Sequence, residues 1–143
     1  MQVSAVLGQK GDHVVTVSPS DSITDVAAVL SKNKIGAVLV RAEDGDVLGV
    51  LSERDIVRGV AQSGVDSLTK SAADLMTKDV ITCGAEDTVN EVMATMTDHR
   101  IRHVPVMRDG ALAGVISIGD VVKNHLAEIE RERQALRDYI STG

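Results

Sequence analysis

The chain has 143 residues, a formal net charge of −6 and 43% hydrophobic residues, and its only aromatic residue is Tyr139. This composition suits one compact domain, or two half-domains, with a core of aliphatic side chains. The negative charge and the scarcity of aromatic rings argue against nucleic acid as a partner. No apolar run approaches the ~20 residues of a membrane span, and no signal-peptide pattern is present. Because a single cysteine permits no intrachain disulfide, we expect a soluble cytoplasmic protein with no membrane partner.

The first half of the sequence predicts a unit of order β-α-β-β-α. A β-rich run precedes a capping-box pattern, in which a hydroxyl and a later carboxylate satisfy backbone N–H groups at a helix start. Two apolar runs then flank an Asp-Gly pair, a strong hairpin signal because glycine accepts a positive φ. The predicted elements are a strand over 13–17, a helix from Ser22, strands over 37–40 and 47–51 around Asp44-Gly45, and a helix near Ser52.

The second half of the sequence predicts the same unit again. A polar connector separates the halves, and residues 72–76 predict a short helix that leads into the second unit. Its elements are a strand over 79–83, a helix from Thr88, strands over 104–107 and 112–116 around Asp109-Gly110, and a helix near Ser117. We divide the chain into a first repeat (1–62), a connector (63–71), a second repeat (72–124) and a C-terminal helical extension (125–143).

The two units are related by sequence identity as well as by pattern. The stretch Gly49–Arg58 returns as Gly114–Lys123, and seven of fifteen positions from the Asp-Gly turn onward are identical. This duplication predicts an α/β (α+β) fold of two similar halves packed about a pseudo-two-fold axis. Such packing is expected to create a cleft between the halves with two related pockets.

Each repeat carries a Ser-x-x-Asp motif at the start of its last helix, formed by Ser52 with Asp55 and by Ser117 with Asp120. Taken alone, this spacing indicates a helix cap. Its repetition at the mouth of the predicted cleft favours a binding role, because each carboxylate could accept both hydrogen bonds of a ribose cis-diol. The helix N-terminus beside it offers backbone N–H groups to an anion. The glycine three residues before each serine is expected to let a ligand approach the strand end.

The second repeat also carries the basic run Arg100-Ile101-Arg102-His103 at the start of a strand. These side chains could hold a phosphate, or they could form a solvated basic edge. The first repeat has Lys34-Ile35-Gly36-Ala37 at the matching positions. The two halves are therefore chemically unequal.

No arrangement of residues predicts catalysis or a metal site. His99 and His103 straddle a helix-to-strand junction and lack the helical context of a zinc pair. Cys83 falls where the first repeat has Val17, which favours an apolar packing role over a reactive thiol. We expect no enzymatic activity, no catalytic cofactor and no bound metal.

The last helix continues beyond the second repeat with an apolar stripe of Leu126, Ile129, Leu136 and Ile140. A helix that caps the domain's own surface would carry such a stripe. A helix that mediates dimerisation or docks a partner would carry it equally well.

These motifs resemble those of a tandem pair of CBS domains, the arrangement called a Bateman module, from about Gly8 to Asn124. The family pattern of glycine, apolar, any residue, serine or threonine, two further residues and aspartate stands intact as GVLSERD and GVISIGD. An apolar-Pro-Val strand is also typical and occurs as IRHVPVM, although the first repeat has Leu39 in place of the proline. The resemblance implies a stand-alone regulatory protein that senses AMP, ADP, ATP, NAD or S-adenosylmethionine, and that forms a homodimer.

The resemblance also implies which residues bind the ligand. Each aspartate would hold the ribose hydroxyls with help from its serine, while strand starts of the other repeat would contact the base and phosphates. Of the two pockets that this implies, the first contains the cationic side chains and is expected to favour phosphorylated ligands. The first pocket would comprise Ser52, Arg54, Asp55, Thr82, Cys83, Ile101, Arg102 and His103. The second pocket would comprise Thr16, Val17, Ile35, Gly36, Ala37, Ser117 and Asp120.

Two functions follow as hypotheses. In the first, an adenosine ligand binds between the repeats and signals to an effector protein, not identified by the sequence, through a conformational change. In the second, the Ser-x-x-Asp motifs are only helix caps, and the chain is a ligand-independent dimerisation or docking module whose working surface is the C-terminal helix.

Overall fold

The computed structural model describes residues 1–11 and 13–142, which form two compact units. His13–Ile81 form one unit, which we call the first-repeat unit. Met1–Asp12 together with Thr82–Gly143 form the other, which we call the second-repeat unit. Each unit contains a three-stranded sheet with helices, so the α/β fold class built from two copies of one pattern is confirmed.

The elements follow one another in the order that the duplication predicts, with one additional helix at the start. The helices are α1 (Val3–Lys10), α2 (Ile23–Asn33), α3 (Glu53–Ser63), α4 (Ala72–Leu75), α5 (Val89–His99) and α6 (Ile118–Thr142), with a 3-10 helix over Gly64–Thr69. The strands are β1 (Thr16–Val17), β2 (Ala37–Arg41), β3 (Val47–Ser52), β4 (Cys83–Gly84), β5 (His103–Arg108) and β6 (Ala111–Ser117).

Both sheets have the same mixed topology. β1 pairs in parallel with β2, which pairs antiparallel with β3; β4, β5 and β6 repeat this arrangement. Gly45 (φ 96°) and Gly110 (φ 78°) occupy the left-handed region at the two hairpin turns, as the Asp-Gly signals predict. β1 and β4 are shorter than the predicted strands, whereas β3 and β6 extend by one residue to the serines of the Ser-x-x-Asp motifs.

The helix after the first strand of each repeat has matched ends. Ser22 and Thr88 are the N-caps, and each hydroxyl accepts a hydrogen bond from the backbone N–H three residues later at 3.1 Å. Lys34 (φ 55°) and Arg100 (φ 56°) end these helices in the left-handed conformation. The chain is thereby turned directly from the helix into the start of the next strand.

The short helix at the start of each repeat packs on the other repeat's unit. α4 begins the second repeat, yet Ala72 is fully buried in the first-repeat core and its N–H bonds the Asp21 carbonyl at 2.8 Å. α1 lies at the start of the first repeat, yet Val3 is fully buried in the second-repeat core and its N–H bonds the Asp87 carbonyl at 2.8 Å. The compact units therefore do not follow the linear division into residues 1–62 and 72–124.

The predicted polar connector is folded as part of the first-repeat unit. α3 runs to Ser63, and the 3-10 helix follows without a break. Ser67 is fully buried, and its hydroxyl donates to the Gly64 carbonyl at 2.8 Å, so that its polar atom is satisfied. The polar composition of this segment thus reflects internal hydrogen bonding.

Each unit has its own aliphatic core. Ile23, Val26 and Leu51 are among the fully buried side chains of the first-repeat unit. Val92, Val104 and Ile116 hold similar positions in the second-repeat unit. Among the helices of residues 1–11 and 13–142, none is both long and apolar enough to cross a membrane.

Candidate functional site

The first Ser-x-x-Asp motif lies at the junction of β3 and α3. Ser52 is the last strand residue and the N-cap of the helix, so that its side chain stands at the helix start. Its backbone N–H and its hydroxyl donate to Asp55 Oδ2 at 3.0 and 3.1 Å, and the Asp55 N–H donates back to Ser52 Oγ at 3.3 Å. This is a capping box, so the helix-cap interpretation of the motif is correct as geometry.

The second oxygen of Asp55 is also engaged within the first-repeat unit. The Thr77 hydroxyl donates to Oδ1 at 3.2 Å, and Arg58 Nη1 lies 3.5 Å from the same oxygen. Only 7% of the Asp55 side chain is exposed, whereas 60% of the Arg58 side chain is exposed. The carboxylate is therefore held chiefly by neutral hydrogen-bond donors, with a solvated guanidinium at its edge.

The second Ser-x-x-Asp motif repeats this geometry at the junction of β6 and α6. The backbone N–H and hydroxyl of Ser117 donate to Asp120 Oδ2, both at 2.9 Å, and the Asp120 N–H donates to Ser117 Oγ at 3.2 Å. The Asp120 side chain is 21% exposed, three times the exposed fraction of Asp55. The two carboxylates thus share their caps and differ in their access to solvent.

Lys10, the last residue of α1, adds a cation beside the second carboxylate. Its Nζ donates to Asp120 Oδ2 at 2.6 Å and to the Val115 carbonyl at 2.8 Å. Burial raises the pKa of Asp120, but hydrogen bonds from Lys10 and Ser117 and the Lys10 charge outweigh this effect and hold the pKa below its ordinary 3.8. Asp120 is therefore an ionised acceptor at neutral pH.

Each motif lies beside the strand start of its own unit. The Glu53 N–H donates to the Gly36 carbonyl at 2.9 Å, and the Ile118 N–H donates to the Arg102 carbonyl at 2.8 Å. The strand register sets Ala37 opposite Ser52 in the first-repeat unit and His103 opposite Ser117 in the second-repeat unit. The predicted pairing of each motif with the strand start of the other repeat stays a prediction.

The remaining candidate residues lie on the short first strands and the adjoining turns. Thr16 and Val17 form β1, Thr82 immediately precedes β4, and Cys83 begins it. Ile35 and Ile101 are half-buried and follow the left-handed caps, while Arg54 and Arg102 are exposed. Burial, and next the charge of Asp87, raise the pKa of the Cys83 thiol from 9.0 to about 11. The thiol is therefore protonated at neutral pH, as the apolar-packing interpretation expects.

The glycines before the two motifs admit neighbouring protein, which corrects the expectation that they admit a ligand. A Cβ on Gly49 would lie 2.7 Å from Met76 Sδ and 2.8 Å from the Thr77 carbonyl oxygen. A Cβ on Gly114 would lie 2.7 Å from Leu7 Cδ2. Both glycines therefore let the leading segment of one repeat pack against the last strand of the other repeat's unit.

Sequence reasoning missed two residues that touch the motifs, Lys10 and Thr77. Each lies in the leading segment of one repeat and bonds an aspartate of the other repeat, far away in the sequence. One signal was present, because Val3, Val6, Leu7 and Lys10 follow helical spacing at the start of the chain. Among residues 1–11 and 13–142, no group of three His, Cys, Asp or Glu side chains lies close enough together to hold a metal ion.

The duplicated unit and its twofold Ser-x-x-Asp cap define the class of protein. The family model described as "CBS domain" matches this chain twice, over residues 10–62 and 72–126. The chain therefore belongs to the CBS-domain family and carries two CBS repeats, which together form a regulatory module.

Relatives with the same organisation support this assignment. The CBS domain-containing protein CBSX3, mitochondrial, of Arabidopsis thaliana is 33% identical over 149 residues, covering 99% of this chain and 72% of the relative. The crystal structure of the CBS-domain containing protein ATU1752 from Agrobacterium tumefaciens is 49% identical, with a TM-score of 0.86, covering 87% of this chain and 99% of that one.

A third solved structure was obtained with ligands bound. The CBS domain pair of protein MJ0100 was crystallised in complex with 5'-methylthioadenosine and S-adenosyl-L-methionine. It is 25% identical to this chain, with a TM-score of 0.79, and the match covers 90% of this chain and 98% of that one.

Proposed function

We propose that this CBS pair is a non-enzymatic regulatory module that binds an adenosine ligand and signals by a conformational change to an effector protein. The observation that carries the proposal is the orientation of Asp55 and Asp120, each fixed at a helix start by the serine three residues before it. A fixed carboxylate is a suitable acceptor for the two hydroxyls of a ribose, because no side-chain ordering remains to oppose binding.

The relatives and the chemistry of the motifs support an adenosine ligand. The MJ0100 pair was crystallised with two ligands that share a 5'-deoxyadenosyl group bonded to a methylated sulfur, which suits recognition of the common adenosine half. In our proposal AMP, ADP, ATP or NAD binds to one of two residue sets. Ser52, Arg54, Asp55, Thr82, Cys83, Ile101, Arg102 and His103 form the first set. Thr16, Val17, Ile35, Gly36, Ala37, Ser117 and Asp120 form the second set.

The first experiment is a thermal-shift titration of the purified chain with AMP, ADP, ATP, NAD and S-adenosylmethionine. A ligand that binds only the folded state raises the unfolding midpoint with its concentration. Isothermal titration of the best ligand against Asp55→Ala and Asp120→Ala then assigns the site. We expect at least a tenfold loss of affinity in one of them, because a charge-assisted hydrogen bond contributes about 1.5–3 kcal/mol.

A matched control for helix capping is available in the same unit. Ser71 and Asp74 form another Ser-x-x-Asp capping box, at the start of α4, which belongs to neither proposed site. Asp74→Ala removes the same capping carboxylate as Asp55→Ala but should leave ligand affinity unchanged. If no adenosine ligand shifts the midpoint, or if both variants weaken binding equally, the motifs act only as caps and the sensor proposal is wrong.

A second candidate function, dimerisation or partner docking, rests on the exposed apolar side chains of α6. Beyond Asn124 the helix continues to Thr142, and Leu126, Leu136 and Ile140 are each more than 60% exposed. Such a stripe on a long helix suits pairing with the same helix of a second chain, so we propose a homodimer. The location we propose is the cytoplasm, where the one thiol, which is buried, would stay reduced.

Sedimentation of the chain truncated after Asn124 tests this candidate. A truncated monomer that still binds ligand would assign dimerisation to the helix and sensing to the repeats. A truncated chain that remains dimeric would overturn the helix-pairing proposal. A dimeric full-length chain that responds to no nucleotide would favour the docking function over the sensor.

A further inference from the structure

The two repeats place different chemical groups at equivalent positions beside their aspartates. In the first-repeat unit, Thr77 follows α4, exchanges backbone hydrogen bonds with Val50 at 2.8 and 3.0 Å, and donates its hydroxyl to Asp55. In the second-repeat unit, the ammonium of Lys10 at the end of α1 reaches both corresponding acceptors, the Val115 carbonyl and the Asp120 carboxylate. A neutral hydroxyl in one unit is thus replaced by a full positive charge in the other.

The hydrogen bonds around Asp120 leave one acceptor and one donor that a ligand could use. Among the described residues, the hydrogen bonds to its carboxylate converge on Oδ2, from the Ser117 N–H, the Ser117 hydroxyl and Lys10. An ammonium carries three donors, of which Lys10 uses two here. Oδ1 can accept from a ligand hydroxyl while the third Lys10 proton is donated to a ligand acceptor.

The charge of Lys10 favours an anionic ligand over a neutral one at Asp120. A neutral ligand that approaches Asp120 must share a carboxylate already paired with an ammonium at 2.6 Å, and it offers the ammonium no counter-charge. An anionic ligand supplies a second partner for the same ammonium, so that desolvation of Lys10 is compensated. The Lys10 side chain is 32% exposed, so a ligand can reach its charge without unfolding α1.

We propose that Lys10 is a specificity-determining residue of the second repeat, which makes the Asp120 site select adenosine ligands that carry a phosphate group over neutral adenosine. The inference rests on the proposed function, because it assumes that Asp120 accepts ribose hydroxyls. The sequence predicts a preference for phosphorylated ligands at the first pocket, which contains Ser52 and Asp55. This inference assigns such a preference to the second site as well.

AMP and adenosine are the matched probes, because they differ only in the phosphate. Isothermal titration is done on full-length Asp55→Asn, in which the first site is disabled, with and without Lys10→Met. We expect Asp55→Asn to bind AMP at least about tenfold more tightly than adenosine, and Lys10→Met to reduce this ratio to about one. Lys10→Arg should restore the preference, because it keeps the charge, and Lys32→Met on the exposed face of α2 should not change it.

The outcomes separate the two proposals. If the unmodified chain binds neither AMP nor adenosine, nor any other adenosine ligand of the thermal-shift titration, the proposed function fails. If it binds another of those ligands but neither AMP nor adenosine, this inference alone is overturned. If the unmodified chain binds AMP but Asp55→Asn binds neither ligand, the second site does not operate and this inference alone is overturned. An AMP-to-adenosine ratio that Lys10→Met leaves unchanged would reduce Lys10 to a structural ion pair. Thermal melts of Lys10→Met and Lys10→Arg confirm that each variant is folded under the titration conditions.

Discussion

The first-repeat and second-repeat units fix an aspartate in the same geometry but place different side chains beside it. Both fix an aspartate with the N–H and hydroxyl of a serine that ends a strand and begins a helix. Both pack the leading segment of the other repeat against the glycine three residues before that serine. The residue that this segment delivers to the aspartate is Thr77 in one unit and Lys10 in the other.

This comparison shows which features the duplication preserves. The strand–helix junction is kept because two backbone N–H groups and a hydroxyl must be satisfied wherever the helix starts. The delivered side chain is under no such constraint, because either a hydroxyl or an ammonium can donate to the carboxylate. The side chain delivered to the aspartate is therefore one place where the repeats differ chemically, and the strand starts over 34–37 and 100–103 are another.

The largest expected effect tests whether the two cores are equally important. Ile23→Ala and Ile116→Ala each remove a side chain that is no more than 1% exposed, from different core clusters. We expect each to lower the free energy of unfolding by about 2–5 kcal/mol, measured by urea denaturation. Ile140→Ala, at 69% exposure, serves as the control and should change it by less than about 0.5 kcal/mol. A loss below about 1 kcal/mol in one unit would show that its core is loosely packed.

The glycines before the motifs are expected to differ in their tolerance of a methyl group. Gly49→Ala forces a Cβ to within 2.8 Å of the Thr77 backbone carbonyl, so we expect a loss of about 1–3 kcal/mol. Gly114→Ala meets the tip of the flexible Leu7 side chain, so we expect a smaller loss, under about 1 kcal/mol. Gly8→Ala has open space within α1 and should stabilise the chain by about 0.5–1 kcal/mol. Equal losses at Gly49 and Gly114 in urea denaturation would mean that the Leu7 side chain cannot move.

Much of the fold could be predicted because its signals are local. The Asp-Gly turns, the hydroxyl caps and the alternating apolar runs each span only a few residues, and they gave the repeat order and the position of both motifs. The ends of β1 and β4 were less accurate, because each short strand is defined by one parallel partner and not by its own pattern.

The unit on which each leading helix packs could not be predicted in the same way. α1 and α4 are short, and their apolar residues do not indicate which of two similar sheets they cover. The Lys10–Asp120 bond joins residues 110 positions apart, and no local spacing encodes it. Once α1 is placed on the second-repeat unit, the role of Lys10 follows from its position at the helix end.

The Lys10–Asp120 pair should make a small, pH-dependent contribution to stability. Because the folded-state pKa of Asp120 lies below the unfolded value of 3.8, the stabilisation is present above pH 3.8 and is lost as the pH falls through the folded-state pKa. We expect Lys10→Met to cost up to about 1 kcal/mol at pH 7, since both side chains are partly exposed, and less by about pH 2.

Arg58→Met is the matching change beside Asp55 in the first-repeat unit. It removes a longer ion pair of 3.5 Å, whose cation is 60% exposed against 32% for Lys10, and it should cost less than Lys10→Met at neutral pH. Urea denaturation of both variants between pH 2 and pH 7 makes the comparison. A cost of Lys10→Met that is the same across this range would show that the lost packing of the lysine stem, and not the ion pair, is responsible.

The smallest effect is expected at the position where the repeats have Val17 and Cys83. Both side chains are buried on the first strand of their unit, and each is paired with the fourth residue of the neighbouring strand, Val40 or Val106. Cys83→Val therefore gives the second repeat the residue type that the first repeat has at Val17. We expect it to change the free energy of unfolding by less than about 1 kcal/mol and to leave the AMP affinity within about twofold. Cys83→Ser is the control, because it keeps the size of the thiol but buries a hydroxyl, and it should cost more. A tenfold loss of affinity in Cys83→Val, with unchanged stability, would instead assign the thiol a direct part in binding the adenine. Val17 and Cys83 would then be equivalent in core packing but not in ligand binding.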